Sequence, residues 1–147
     1  MKRKLLLVMS ILALILTSCG TKDNEPTDDS KVRIGVVTPQ TGPVSIYGKA
    51  NENGIKLATK EINDNGGIGG REIELVVMDD KGEITDAVTS FNLLMEENVD
   101  VVIGAFTSKP SLALAETAKN YEVPVITPGG TQEDITLGKP NVITGTS

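Results

Sequence analysis

Short apolar runs alternate along the chain with longer stretches in which apolar residues recur at three- and four-residue spacing. The runs are Val32–Thr38, Arg71–Met78, Val101–Ile103, Val125–Thr127 and Val142–Thr144. They are rich in valine and isoleucine, as is typical of buried strands in a parallel sheet. The pattern therefore predicts five strands.

Three helices are predicted between these strands. Their apolar positions are Ala50, Gly54, Leu57, Ala58 and Ile62 in the first, Ile84, Val88, Phe91 and Met95 in the second, and Leu112, Ala115 and Ala118 in the third. The first helix stops at Asn65–Gly67, the second has one apolar face, and the third runs from Ser108 to about Tyr121. Strands that alternate with helices predict an α/β fold, a doubly wound parallel sheet with helices on both faces.

Two hydroxyl-bearing loops follow neighbouring strands of this predicted sheet. Ser108 stands at the N-cap position of the third helix, with Pro110 just inside its first turn. Thr131 follows the glycines after the Val125–Thr127 strand, so both loops emerge at the carboxyl edge, where open α/β sheets bind ligands. The N–H groups and partial positive charge of a helix start suit a carboxylate. Ser108 and Thr131 can thus converge on one small polar molecule; the alternative for Ser108 is an ordinary cap.

The composition of the 147 residues excludes several classes of function. The absence of histidine excludes Ser-His-Asp chemistry and His-ligated zinc. A net charge of −6 and only two tyrosines and two phenylalanines argue against a nucleic-acid partner, which needs a basic surface with stacking rings. Because no nucleophile has a matching base, we expect a binding protein that is not an enzyme and has no metal or cofactor.

Two further clusters contain residue types that occur in phosphate-binding or catalytic sites. Gly66–Gly70 follows a helix and precedes a strand, the reverse of the dinucleotide-binding order, so these glycines are expected to end the helix with positive φ. Asp79 and Asp80 follow the second strand. Adjacent side chains of an extended chain point to opposite sides, which disfavours a shared proton or metal ion. A solvated loop or a helix-capping role is predicted for the two carboxylates.

The N-terminal segment is predicted to be a secretory signal. The basic residues Lys2–Lys4 precede the apolar stretch Leu5–Leu16, which is short of the roughly 20 residues that span a bilayer. Leu16–Cys19 resembles the lipobox of bacterial lipoproteins, in which the cysteine is lipidated and becomes the new N-terminus. The alternative is an uncleaved membrane anchor with a chance cysteine, and the protein is exported in either case.

These observations divide the chain into three parts. We expect a lipoprotein signal peptide at residues 1–18, a flexible polar tether at 19–30 and one folded domain at 31–147. The protein would then be anchored to the outer face of a cell membrane by lipidated Cys19. Removal of the signal also makes the net charge more negative, so the folded part would not be held on anionic lipid by its own surface.

Six short motifs follow one another in the folded part. They are Ile34–Val36, Thr41–Pro43 with Tyr47–Gly48, Glu61–Asn63 with Gly66–Ile68, Asp79–Asp80, Val102–Gly104 and Ile126–Pro128. In order and spacing, from about Lys31 to Ser147, they resemble the Leu/Ile/Val-type periplasmic binding proteins, the extracellular substrate-binding components of amino-acid ABC transporters. The resemblance implies a two-lobed protein that closes on its ligand, with this chain as the N-terminal lobe and further selectivity residues in the second lobe.

The resemblance also implies a ligand site and partners. Ser108 and the amide groups around it would bind the carboxylate of a branched-chain amino acid. The carbonyl group of Gly129 and the hydroxyl group of Thr131 would bind its ammonium group, and Tyr47 would border its side chain. The partners would be this small molecule, ABC permease subunits and a membrane reached through lipidated Cys19. A binding protein for amides, urea or aromatic acids, or a ligand-sensing receptor ectodomain, is the alternative.

Overall fold

The computed structural model of the protein describes residues 30–145. The predicted signal peptide, Cys19 and all of the predicted tether except Ser30 lie outside this range. The elements are β1 (Lys31–Thr38), α1 (Ser45–Asp64), β2 (Glu72–Asp79), α2 (Ile84–Glu96), β3 (Val101–Ile103), α3 (Ser108–Ala118), β4 (Val125–Thr127), a 3₁₀ turn (Glu133–Ile135) and β5 (Val142–Thr144). The predicted order of strands and helices is confirmed. None of the helices in the described range is long and apolar enough to cross a membrane.

The five strands form one parallel sheet in the order β2-β1-β3-β4-β5. The chain moves from β1 to β2 in one direction and then returns past β1 to reach β3, β4 and β5. Because crossovers between parallel strands are right-handed, this reversal places α1 on one face and α2 and α3 on the other. The predicted doubly wound α/β fold is confirmed. Ligands of such sheets bind at the carboxyl ends of the strands where the direction reverses, here β1 and β3.

The core lies between the sheet and the helices α2 and α3. The register aligns Val102, Val125 and Val142 across three neighbouring strands. Phe91 of α2 and Leu114 of α3 belong to the same cluster, and all five side chains are at most 4% exposed. Burial of an apolar side chain of this size contributes about 1.5–3 kcal/mol. This face of the sheet therefore supplies most of the apolar stabilisation.

The predicted apolar face of α2 was wrong in part. The buried residues of this helix are Ala87, Ser90, Phe91 and Leu94. Ile84, which the prediction placed on the apolar face, is 47% exposed. The physical reason lies in β1, where a Cβ atom on Gly35 would stand 2.7 Å from Cδ1 of Leu94. Leu94 fills the space that the glycine leaves, and the stripe that contains Leu94 is turned towards the sheet.

The opposite face of the sheet is only partly covered. Thr38 donates a hydrogen bond to the carbonyl group of Gly48 in α1 at 3.2 Å, which fixes α1 over β1. By register, Ile103, Ile126 and Ile143 continue the same face across β3, β4 and β5. Ile143 is 59% exposed, and the helix contacts of α1 go to β1 and β2. Helices thus lie on both faces as predicted, but within residues 30–145 the isoleucine row has no helix over it.

The glycine-rich segment after α1 behaves as predicted. The four glycines of residues 66–70 have φ values between 60° and 96°. The N–H group of Gly67 donates to the carbonyl group of Ile62 at 2.9 Å, which closes the helix. The segment therefore ends α1 and turns the chain into β2.

Candidate functional site

Ser108 is the first residue of α3. Thr107 is the N-cap residue, with an extended φ of −123° and ψ of 148°, and its carbonyl group accepts the hydrogen bond of the Ser111 N–H group at 2.9 Å. The prediction that Ser108 is the N-cap was therefore wrong by one residue. Ser108 still lies within the first turn, where the backbone N–H groups have no acceptor in the helix itself. The partial positive charge of the helix start acts at the same place.

The structure brings Ser108 and Thr131 together. Their hydroxyl oxygens are 3.5 Å apart, and the backbone N–H group of Thr131 donates to the Ser108 Oγ atom at 3.3 Å. Ser108 is half-buried and Thr131 is exposed, so the pair is open to solvent on one side. At this helix start the Ser108 hydroxyl group can donate a hydrogen bond to a carboxylate, and the Thr131 hydroxyl oxygen beside it can accept one from a cationic group.

Gly129 lies where the two site loops touch. A Cβ atom at Gly129 would stand 2.3 Å from the carbonyl oxygen of Phe106, so only glycine fits at this position. Ser111 holds the neighbouring loop to α3, because its hydroxyl group donates to the carbonyl group of Ala105 at 2.7 Å. The relative position of the loops after β3 and β4 is thus set by direct backbone contact.

Tyr47 lies in the first turn of α1. It follows β1, so it belongs to the same carboxyl edge of the sheet as Ser108. Its side chain is 67% exposed. Within residues 30–145 it makes no hydrogen bond to Ser108 or Thr131. No direct hydrogen bond therefore joins Tyr47 to the serine–threonine pair within the described residues.

The Asp79 carboxylate joins the loop after β2 to the loop after β1. Its Oδ1 atom accepts hydrogen bonds from the backbone N–H groups of Gln40 at 2.8 Å, Thr41 at 3.3 Å and Lys81 at 2.9 Å. Its Oδ2 atom accepts a hydrogen bond from the Thr41 hydroxyl group at 2.6 Å. Partial burial acts to raise the pKa of Asp79, but these hydrogen bonds outweigh it and the pKa is lowered. No sequence pattern indicates the contact with the loop after β1, because Gln40 and Thr41 are 39 and 38 residues away from Asp79.

Asp80 is turned into the protein. It is 1% exposed, and its Oδ1 atom accepts a hydrogen bond from the Gly82 N–H group at 3.0 Å. Its Oδ2 atom is buried and has no hydrogen-bond partner within the described range. Burial raises the pKa of Asp80, and the charges of Asp79 and Asp86 act in the same direction. The predicted solvated or helix-capping role is therefore wrong for Asp80, and α2 begins without any side-chain cap.

Lys139 is a buried cation that sequence reasoning missed. It is 5% exposed, and its Nζ atom donates to the carbonyl groups of Asp134 at 2.6 Å and Leu137 at 3.2 Å and lies 2.8 Å from Glu116 Oε1. A surface cavity of ≈ 270 Å³ borders this ion pair and shares no residue with the serine–threonine pair. A lysine between a glycine and a proline carries no sequence signal of burial. Over residues 30–145, no group of three or more acidic or cysteine side chains could hold a metal ion.

Comparisons with known proteins agree with this architecture. Residues 31–146 match the family described as periplasmic binding protein. A Leu/Ile/Val-binding protein of Rhizobium johnstonii is 32% identical over 136 residues, which cover 92% of this chain and 37% of the relative. An amino acid binding protein of Pseudomonas aeruginosa is 34% identical, over 86% of this chain and 33% of the relative. The chain thus spans about a third of the length of these relatives.

Solved structures give the same result. A branched-chain amino acid transporter substrate-binding protein of Streptococcus pneumoniae, crystallised with isoleucine, is similar with a TM-score of 0.75 and 36% identity, over 79% of this chain and 34% of that one. A solute-binding protein of Rhodopseudomonas palustris, in complex with 3,4-dihydroxybenzoic acid, has a TM-score of 0.72 and 26% identity, over 79% and 32% of the two chains. The match over residues 31–146, the doubly wound sheet and these likenesses show that the chain belongs to the periplasmic binding protein family.

Proposed function

We propose that this chain is the N-terminal lobe of a two-lobed solute-binding protein that captures a branched-chain amino acid for an ABC importer. The observation that carries the proposal is the meeting of Ser108 and Thr131 at the start of α3, on the carboxyl edge of the sheet. Similarity to Leu/Ile/Val-binding proteins supports this ligand class. We propose no catalytic activity, since the site offers hydrogen-bond donors and acceptors and has no nucleophile with an adjacent base.

The proposed binding mode follows from the chemistry of each group. The Ser108 hydroxyl group and the N–H groups of the first turn of α3 donate to the ligand carboxylate. The Gly129 carbonyl group and the Thr131 hydroxyl oxygen accept hydrogen bonds from the ligand ammonium group. Tyr47 borders the ligand side chain. Closure of the second lobe would remove water from these bonds and supply further selectivity.

The same carboxylate site suits a second candidate class, the aromatic acids. The specific observation in its favour is the similarity to the Rhodopseudomonas palustris protein that was solved with 3,4-dihydroxybenzoic acid. An aromatic acid has a carboxylate for Ser108 but no ammonium group for Gly129 and Thr131. The two candidate ligand classes therefore differ in whether they have a hydrogen-bond donor for Gly129 and Thr131.

Calorimetry on the full-length gene product distinguishes these ligands. Leucine, isoleucine and valine are compared with leucinamide, which lacks the carboxylate, and with 4-methylpentanoate, which lacks the ammonium group. The proposal expects binding of the three amino acids and a large loss with either analogue. Binding of leucinamide as tight as that of leucine would refute the carboxylate site, and binding of 3,4-dihydroxybenzoate alone would favour the aromatic acids.

The membrane anchor is a separate proposal that depends on Cys19, which lies outside the described residues. Lipidation of this cysteine would hold the exported protein firmly, because several acyl chains bind a bilayer far more strongly than one. We expect the Cys19→Ser variant to leave the membrane fraction, while the wild-type protein stays there. Fractionation of cells that express either form measures this. An equal share of both proteins in the membrane pellet would show that the lipid is not the anchor.

A further inference from the structure

The loops that follow β1 and β2 form one hydrogen-bonded unit at the edge of the proposed cleft. The β1–α1 loop comprises residues 39–44 and the β2–α2 loop comprises residues 80–83. The Asp79 carboxylate accepts hydrogen bonds from both of them. A second contact joins the same loops, because a Cβ atom on Gly42, whose φ is +82°, would stand 2.7 Å from the carbonyl oxygen of Lys81. The loops are thus in backbone contact as well as tied through Asp79.

The β1–α1 loop leads directly into the turn that carries Tyr47. The Gly42 carbonyl group accepts a hydrogen bond from the Ser45 N–H group at 3.3 Å. The Val44 carbonyl group accepts one from the Tyr47 N–H group at 3.1 Å. A displacement of the loop is therefore passed along these bonds to the first turn of α1.

The Tyr47 ring depends on this backbone for its position. The side chain is 67% exposed, so packing within the described residues contributes little to holding it. The far end of α1 is held separately, because Asn63 exchanges hydrogen bonds of 2.8 and 2.9 Å with the backbone of Ile73. The beginning of α1 depends on the Thr38 hydroxyl group and on the loop that Asp79 binds.

We propose that Asp79 is a positioning residue for the ligand cleft, which fixes the β1–α1 loop and thereby sets where Tyr47 stands beside the ligand. The effect on affinity rests on the proposed function, since Tyr47 matters to binding only if the cleft binds a ligand at this edge. Asp79 itself does not touch the ligand. It acts through the backbone N–H groups of Gln40 and Thr41 and through the Thr41 hydroxyl group.

Two substitutions at Asp79 separate the effect of the hydrogen bonds from that of the side-chain shape. Asp79→Leu keeps the branched shape and the number of side-chain heavy atoms without an acceptor, whereas Asp79→Asn retains one carbonyl oxygen for the loop N–H groups. Asp64→Leu is the matched control, since it removes an exposed carboxylate at the other end of α1. The readouts on the full-length gene product are the Kd for leucine, measured well below the unfolding midpoint, and amide exchange at Gln40 and Thr41.

We expect Asp79→Leu to raise the Kd roughly tenfold by loosening a preorganised loop, with loss of amide protection. Asp79→Asn is expected to restore both readouts to within about twofold of wild type, and Asp64→Leu to leave them unchanged. If Asp79→Leu lowers only the unfolding midpoint, or if Asp79→Asn fails to rescue, the positioning role is refuted. If Asp79→Leu does not fold, Thr41→Val removes the Oδ2 contact alone and must raise the Kd in the same direction.

A failure of the proposed function would be recognised separately. If the wild-type protein binds none of the amino acids, the NMR signals of the Tyr47 ring, assigned with Tyr47→Phe, replace the Kd as the readout. A shift of these signals in Asp79→Leu and their return in Asp79→Asn would support the positioning role. Unchanged ring signals in Asp79→Leu would overturn it.

Discussion

Asp80 is a residue whose burial conflicts with its charge. Its Oδ2 atom is buried without a hydrogen-bond partner in the described part of the chain, and its pKa is raised, first by burial. A group with a raised pKa in the folded state stabilises the fold below its ordinary value, here 3.8, and loses that contribution as the pH rises through the folded pKa. Ionised Asp80 therefore costs stability at neutral pH.

The Asp80→Asn variant tests this cost because asparagine does not titrate. We expect the wild-type protein to lose stability relative to the variant between pH 4 and neutral pH, by about 1.4 kcal/mol for each unit by which the pKa is raised. Urea unfolding of both proteins at a series of pH values measures the difference. A difference that does not change with pH would show that Asp80 keeps an ordinary pKa in the folded protein.

At the residue scale, the sequence located the side chains whose position follows from chain order. Ser108 and Thr131 each follow a strand, and parallel strands bring such residues to one edge. Their hydroxyl oxygens indeed lie 3.5 Å apart. The hydrogen bonds between Asp79 and the β1–α1 loop could not be predicted in this way, because the N–H group of Thr41 that donates to the carboxylate lies 38 residues earlier in the chain. Burial of Asp80 likewise depends on packing that no local pattern encodes.

At the element scale, a buried ammonium group joins the segment between β4 and β5 to α3, beside the Thr131–Ser108 and Asn141–Ala118 hydrogen bonds. Lys139 satisfies two carbonyl groups of the segment and pairs with Glu116 of α3. The Glu116 carboxylate is half exposed, and hydrogen bonds from Lys119 and then Lys139 lower its pKa to about 2. The contribution of the Glu116 carboxylate to the stability of the fold is thus complete above its ordinary pKa of 4.5 and is lost as the pH falls towards 2.

The two partners of this ion pair should differ in their contribution to stability. Lys139→Met removes the donor of the Asp134 and Leu137 carbonyl groups, while Glu116 keeps Lys119 as a partner, and it is expected to cost about 2–3 kcal/mol. Glu116→Gln removes only the charge on a half-exposed side chain, whose ion pairs are screened by solvent, and should lower the stability clearly less than Lys139→Met. Urea unfolding of both variants provides the measurement. Equal costs would mean that the ion pair, and not the carbonyl contacts, holds the segment.

The elements themselves were predictable to different degrees. All five strands follow from short β-branched runs, and the alternation of strands with helices predicts the doubly wound class without any tertiary contact. The buried face of α2 did not follow, because the stripe through Ile84 and the stripe through Leu94 are both apolar. The choice between them is made by Gly35 in β1, which leaves space for Leu94. Such a choice depends on a tertiary contact.

At the scale of the whole molecule, the sheet presents an apolar row that the described helices leave open. Ile143 lies on the edge strand β5 and is 59% exposed, next to Ile126 in the register. Exposed apolar surface beside an open strand edge favours association between copies. The 147-residue chain expressed alone should therefore self-associate.

The Ile143→Lys variant tests this expectation. A charge on the open row should shift the chain towards the monomer, whereas Leu137→Lys, at a position 73% exposed outside the sheet, should leave association unchanged. Light scattering with sedimentation velocity gives the mass distribution of each protein. A wild-type chain that remains monomeric at high concentration would contradict the role of the isoleucine row.

The central claim is that a ligand carboxylate is held at the start of α3 by Ser108. Loss of a hydrogen bond to a charged group costs about 1.5–3 kcal/mol, so Ser108→Ala should weaken leucine binding by roughly 10- to 150-fold. Thr107→Ala is the matched control, because it removes a hydroxyl group one residue away that makes no capping bond. Calorimetric titration of the full-length gene product with leucine gives both affinities. An affinity of Ser108→Ala equal to that of wild type would contradict the account and remove Ser108 from the site.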